Sequence, residues 1–174
     1  MRNVAFIGIG LLLILLQGNL YRVLGQFHIH GATPSLVLPL VIFLGVHEAS
    51  MARGAGLAFV LGYLLDIFAS APIGLFTFVM VVVWLVSRGA GVRLTAQTIL
   101  TRMSLAFVFS IVESAVVLTL LAIFGADTKR PLEIGTVVLP RAVSTALFAP
   151  IIFHIAQKLH QSTAPVHGSQ EGAR

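Results

Sequence analysis

The sequence of 174 residues contains no cysteine and few charged side chains. Without cysteine the chain can form no disulfide, no thiolate metal site and no thiol nucleophile. Charged residues make up 10% of the chain and hydrophobic residues 57%, whereas about a quarter of an average soluble domain is charged. Because the chain lacks the polar side chains that would cover a water-soluble globule, we expect an integral membrane protein.

Acidic residues are scarcer than basic ones, and the formal net charge is +5. In a chain this apolar, basic residues flank membrane helices and orient them, so the charge does not indicate nucleic-acid binding. The segment "HEASM" begins like a zinc-protease signature at His47, but Met51 stands where the second histidine belongs. His28 and His30 lack a third ligand nearby. We therefore expect no enzyme, no metal and no cofactor.

Six apolar segments, separated by charges, glycine or proline, predict an all-α bundle of six transmembrane helices. The predicted spans are residues 4–24, 34–48, 54–70, a fourth that follows the "ASAPIG" turn and ends at residue 87, 98–124 and 135–158. They form a single domain, residues 1–160, followed by a disordered cytoplasmic tail, residues 161–174. Since the connections are short, no extramembrane domain can fold from them, and function belongs within the bilayer or at its faces.

The distribution of Lys and Arg predicts the orientation of the chain in the membrane. If the N-terminus is cytoplasmic, the inner side carries twice as many basic residues as the outer side. The inner residues are Arg2, Arg53, Arg88, Arg93, Lys158 and Arg174, and the outer residues are Arg22, Lys129 and Arg130. We expect both termini to be cytoplasmic.

An acid interrupts the third predicted span, in "GAGLAFVLGYLLDIFASAPIGLFTF", residues 54–78. Residues four apart share a helix face, so Gly54, Ala58, Gly62, Asp66 and Ser70 form one stripe of small and polar side chains. Such stripes let helix backbones approach closely in lipid. We expect the stripe to form a groove for another helix, with the carboxylate near its outer end.

Asp66, Glu113 and Arg141 lie well inside predicted spans, with Arg102 nearer the inner end of the fifth. At 1.5 Å per residue, Asp66 and Arg141 both lie about 8 Å from the outer helix ends, and Glu113 about 16 Å. We expect Asp66 to pair with Arg141, with Glu113 within reach of the arginine. Buried charges of this kind either staple helices together or form a proton or ion path. One acid per span favours the staple.

Gly62, Asp66, Pro72 and Gly74 follow a recognisable order: glycine, three apolar residues, aspartate, a small-residue turn, proline, an aliphatic residue and glycine. In this pattern, and less specifically in size and six-span topology, the chain resembles the MreD family of rod shape-determining membrane proteins. Members of the family often have glycine in the turn, where this chain has Ala-Ser-Ala at residues 69–71.

The resemblance implies a non-enzymatic scaffold in the cell-elongation machinery of the bacterial inner membrane, where peptidoglycan synthesis is positioned. Its direct partner would be a single-pass protein like MreC. A filament like MreB and a RodA-type glycosyltransferase with its transpeptidase would be linked indirectly, and membrane lipid would surround it. Whether the chain is a monomer or a homodimer stays open.

The resemblance also extends in fold to the substrate-binding subunits of energy-coupling-factor vitamin transporters. This relation supplies the alternative function, a substrate-binding membrane subunit of a small-molecule transporter. A ligand pocket needs convergent polar and aromatic groups. The predicted outer loops and spans offer few of them, which favours the scaffold.

Overall fold

The computed structural model describes residues 2–26, 33–48, 50–69, 72–89, 98–124 and 131–162. These residues form helices and no strand, which confirms the all-helical class. The helices are α1 (Arg2–Gln26), α2 (Val37–His47), α3 (Met51–Phe68), α4 (Leu75–Gly89), α5 (Ile99–Phe124) and α6 (Pro131–Ser162). The predicted tail falls outside the described residues, apart from its first two positions, which belong to α6.

Four of the helices are long and apolar enough to cross a membrane, which makes the chain a multi-pass membrane protein. The four candidate spans are Asn3–Val23, Met51–Phe68, Ile99–Leu120 and Val137–Ser162. The other two helices, α2 and α4, have 11 and 15 residues. At 1.5 Å per residue they measure about 16 Å and 22 Å, less than the hydrocarbon core of about 30 Å. Helix length therefore supports four crossings, where the sequence predicts six.

Consecutive helices run in opposite directions. Gln17, in the second half of α1, contacts Leu36 at the start of α2, and Phe6 contacts Phe43 near the end of α2. The same reversal relates α3 to α4 and α5 to α6. We call the end of the bundle at which α1, α3 and α5 terminate the upper end, and the opposite end the lower end.

Helix α2 forms the centre of the bundle. Every residue from Val37 to Val46 is buried, and α2 contacts all five other helices. A helix that is apolar all round needs protein or lipid to cover it on every side. The four long helices and α4 provide that cover, so the shortest of the described helices lies at the core of the bundle.

The outer surface of the bundle is apolar. Along α6, side chains four positions apart are exposed at Leu139, Val143, Leu147, Ile151 and Ile155. Residues with this spacing share one face of a helix. A continuous apolar ridge of this length is unfavourable in water but suits contact with lipid chains.

Candidate functional site

The carboxylate of Asp66 caps the first turn of α4. Its Oδ2 atom accepts hydrogen bonds from the backbone N–H groups of Gly74 at 2.9 Å and Thr77 at 3.2 Å, and from the Thr77 hydroxyl at 2.6 Å. Its Oδ1 atom accepts a bond of 2.7 Å from the N–H of Phe76. The first N–H groups of a helix have no acceptor within the helix itself. Asp66 supplies that acceptor from the neighbouring helix α3.

This role explains why an acid lies within an apolar helix. Asp66 is 1% exposed, so its carboxylate is shielded from solvent. An N–H group left without a partner in hydrocarbon costs several kcal/mol. The negative charge also lies at the positive end of the α4 dipole, where it is stabilised. The four hydrogen bonds and the helix dipole stabilise the carboxylate of Asp66, which has no oppositely charged side chain as its partner among the described residues.

The predicted pair of Asp66 with Arg141 does not form. The ion pair of Arg141 is with Glu113, at 3.0 Å between Nη2 and Oε1, while the Asp66 oxygens are engaged by α4. Depth along a helix locates a residue relative to a helix end but does not say which helices are neighbours. Here α3 packs on α4, and α5 packs on α6.

Glu113 lies at the meeting point of α5, α6 and the start of α2. It is 1% exposed. Its Oε1 atom accepts the bond from Arg141 and a second bond, of 3.2 Å, from the hydroxyl of Ser35, which precedes α2. The acid therefore connects two long helices to the segment that leads into the central helix.

The backbone just before α2 is capped by side chains of other helices. The N–H of Ser35 donates to Oγ1 of Thr145 on α6 at 2.9 Å, and the N–H of Leu36 donates to Oε1 of Gln17 on α1 at 3.0 Å. Non-helical backbone at membrane depth is tolerated only where protein satisfies its polar groups. The two short helices thus begin in the same way. Each starts inside the bundle, and side chains of long helices accept hydrogen bonds from the backbone N–H groups at its start.

Sequence reasoning missed Gln17, Ser35 and Thr145. Each is an uncharged polar residue next to apolar runs, and no spacing relates the three along the chain. The available signal was the shortness of α2, because a helix that is too short to reach both membrane faces must begin at depth and needs acceptors there.

The small-residue stripe on α3 holds α4 of the same chain. A Cβ atom on Gly62 would lie 2.6 Å from Cα of Thr77, and one on Gly54 would lie 2.5 Å from Nε1 of Trp84. Ala58, between them, is fully buried. Ser70, the last predicted member, lies outside the described residues. The groove expected for another helix is therefore filled from within the chain and is not open to a partner.

The turn that precedes α4 uses the remaining residues of the pattern. Gly74 has a φ of 100°, in a region that L side chains rarely adopt, and its N–H is one of the groups bound by Asp66. The carbonyl of Pro72 accepts a bond from the N–H of Leu75. Gly62, Asp66, Pro72 and Gly74 thus belong to a single structural unit, which we call the α3–α4 hairpin.

The cluster around Glu113 contains buried polar atoms without a hydrogen-bond partner, whereas both carboxylate oxygens of Asp66 accept hydrogen bonds. Three buried atoms there have no partner: Oε2 of Glu113, Nε of Arg141, and Oγ of Ser110, which lies one turn before Glu113 on α5. Among the residues that the structure describes, no three His, Cys, Asp or Glu side chains lie close enough together to hold a metal ion.

Comparisons with protein-family models, known proteins and solved structures found no match to the chain.

Proposed function

We propose that the chain is a non-enzymatic scaffold subunit of the bacterial cell-elongation machinery, with a single-pass protein like MreC as its direct partner. The observation that carries the proposal is the α3–α4 hairpin. The four residues that carry the resemblance to the MreD family each have a contact or turn in that hairpin. The pattern therefore encodes a packed and capped unit of structure, which is the kind of feature that relatives in a family share.

The engagement of the buried acids supports a scaffold. Asp66 ties α4 to α3, and Glu113 ties α5 to α6 and to the start of α2. Buried charges used in this way restrain the relative positions of the helices. Such a bundle offers partners a rigid outer surface, through which a filament like MreB and a RodA-type glycosyltransferase with its transpeptidase would be held indirectly.

The partner helix needs a face other than the α3 stripe, and we assign it to α1. Of the four candidate spans α1 is the least covered. In its most apolar stretch of 18 residues 22% of the residues are buried, against 39% in the corresponding stretch of α3. Its exposed face carries Val4, Gly8 and Leu12, and a Cβ on Gly8 would meet no atom within 4 Å. A glycine on an exposed face lets a second helix approach closely.

The orientation follows from the charges at the two ends of the bundle. In the part of the chain that the structure describes, the lower end carries Arg53, Arg88, Arg102 and Lys158, and the surface of the upper end carries Arg22. Because basic residues accumulate on the cytoplasmic side, we place the lower end, and with it both termini, in the cytoplasm of a bacterial inner membrane. In this arrangement α2 and α4, although shorter than the hydrocarbon core, run from the upper towards the lower end between the long helices.

The test is purification of the tagged full-length chain from its native membranes in mild detergent, with identification of the proteins that accompany it. We expect a MreC-like protein to be recovered. Gly8→Leu should reduce its recovery about tenfold, which corresponds to 1.4 kcal/mol. Gly56→Leu is the matched control, because Gly56 is an exposed glycine on α3 whose added Cβ would also meet no atom within 4 Å.

Two outcomes would contradict the proposal. One is a purified complex without cell-elongation proteins, and the other is normal rod shape after deletion of the chain. Uptake of a labelled vitamin by cells that depends on the chain would favour the alternative function, a transporter subunit.

A further inference from the structure

A cleft of about 670 Å³ opens between α1 and α3 near the upper end of the bundle. Its apolar lining includes Leu15 of α1 together with Leu65 and Phe68 of α3. The volume lies within the range of about 300–1,000 Å³ that is typical of small-ligand sites. The cleft lies closer to the upper end than Gly8 and Leu12, the positions assigned to the partner helix above, although Leu15 shares their face of α1.

The rim of the cleft is polar and basic. Asn19, Tyr21 and Arg22 line it where α1 approaches the upper end, and no Asp or Glu is among the described residues that line it. The acid nearest along α3, Asp66, is engaged by four hydrogen bonds from the start of α4. The cleft therefore presents a positive charge that no lining carboxylate neutralises.

The order of these groups along α1 matches the order of groups in a phospholipid. Seven residues separate Leu15 from Arg22, about 10 Å at 1.5 Å per residue. Arg22 stands at the end of the span Asn3–Val23, where arginine and tyrosine side chains meet lipid headgroups. An acyl chain along the apolar part would place its phosphate beside the guanidinium, which binds phosphate oxygens through paired, charge-assisted hydrogen bonds.

We propose that this cleft binds one anionic phospholipid, with an acyl chain against Leu15 and Phe68 and the phosphate at Arg22. A zwitterionic headgroup would bring a second cation close to Arg22, so the site prefers an anionic headgroup. A soluble phosphate would leave the apolar part of the cleft in water, so the occupant is a lipid and not a free anion.

The experiment is native mass spectrometry of the full-length chain in detergent, titrated with phosphatidylglycerol and, separately, with phosphatidylcholine of the same acyl chains. We expect one phosphatidylglycerol to be retained in preference to phosphatidylcholine. Arg22→Gln should weaken that retention about tenfold. Arg53→Gln is the control, because Arg53 is an exposed arginine at the lower end and lies outside the cleft. Leu15→Trp, which fills the apolar part, should lower retention of both lipids.

Three results would overturn the proposal. Retention that is equal in the wild type and in Arg22→Gln would remove Arg22 from the site. An equal loss in Arg53→Gln would indicate unspecific attraction of anionic lipid to the whole protein. Binding of inorganic phosphate that depends on Arg22 and displaces phosphatidylglycerol at similar concentrations would indicate a site for a soluble anion. Arg22 is exposed, so unfolding temperatures of Arg22→Gln and the wild type should agree and exclude misfolding as the cause.

Discussion

A carboxylate in a membrane helix has two ways to avoid an isolated charge, and Asp66 and Glu113 use different ones. A carboxylate offers about four acceptor positions. Asp66 fills them with donors from the start of a helix, whereas Glu113 pairs one oxygen with Arg141 and Ser35. At the scale of single residues, the surroundings of the oxygens decide between a cap and an ion pair.

The cap predicts the behaviour of Asp66→Asn. Asparagine keeps the shape but replaces one accepting oxygen by an NH₂ donor, so part of the first turn of α4 loses its acceptor. Each buried group left unsatisfied costs about 1–3 kcal/mol. We expect a clearly lowered unfolding temperature in mild detergent, with a smaller loss for Thr77→Val, which removes the hydroxyl bond alone.

The same measurement separates the cap from the ion pair that the sequence predicts. A double variant that exchanges Asp66 and Arg141 should be no more stable than either single variant, because the two side chains belong to different clusters. An unfolding temperature of Asp66→Asn equal to that of the wild type, or rescue by the exchange, would contradict the assignment.

At the scale of helices, the chain is assembled from pairs that form along it. The α3–α4 hairpin combines a close approach at Gly62, a cap from Asp66 and a turn at Gly74. These features reinforce one another, since the close approach brings the first turn of α4 within reach of the carboxylate. The hairpin is therefore sensitive to side-chain volume at Gly62.

We expect Gly62→Leu to separate α4 from α3. Its Cβ would lie 2.6 Å from Cα of Thr77 and 2.8 Å from the carbonyl oxygen of Phe76, and backbone atoms cannot move aside without moving α4. The chain contains one tryptophan, Trp84 on α4, whose ring contacts α3 at Gly54. Fluorescence emission of Trp84 should shift to longer wavelength in Gly62→Leu.

Gly56→Leu is the control for this helix, because nothing lies within 4 Å of the added Cβ. Its emission should match that of the wild type. An unshifted emission in Gly62→Leu, together with an unchanged unfolding temperature, would show that α4 does not pack against the stripe.

At the scale of the whole molecule, four long helices and α4 enclose a short apolar helix. Helix α2 has no exposed residue between Val37 and Val46, so its contacts are all with protein and its backbone start relies on Gln17 and Thr145. The surface that faces outward is supplied by the long helices. Interior polar contacts therefore join the helices, and the exposed side chains of the long helices face outward.

The alternation of helix directions predicts that both ends of the chain lie on one side of the membrane. Because the sequence has no cysteine, single cysteines can be introduced without background labelling. Asn3→Cys and Gln161→Cys, both exposed positions at the lower end, should react with a membrane-impermeant maleimide only after cells are permeabilised. Tyr21→Cys, exposed near the upper end, should react in intact cells. Labelling of positions 3 and 161 from opposite sides would contradict the alternation.

Much of the architecture follows from local sequence. Apolar length predicts the helices, and the turn around Pro72 and Gly74 separates α3 from α4 where the structure has it. These features depend on the hydrophobicity and backbone preferences of neighbouring residues, which the sequence contains in full. The number of membrane crossings does not follow from local sequence alone. The sequence predicts six, but α2 and α4 are too short to span the hydrocarbon core as helices.

The sequence by itself determined that this chain is a helical membrane protein with acids buried in its spans, because composition and apolar length control partition into lipid. Only the tertiary structure decided what those acids do. Asp66 accepts hydrogen bonds from the start of α4, and Glu113 forms an ion pair with Arg141. Such contacts form over about 3 Å and therefore depend on which helices become neighbours. That choice is made when the helices pack, between residues far apart in the chain.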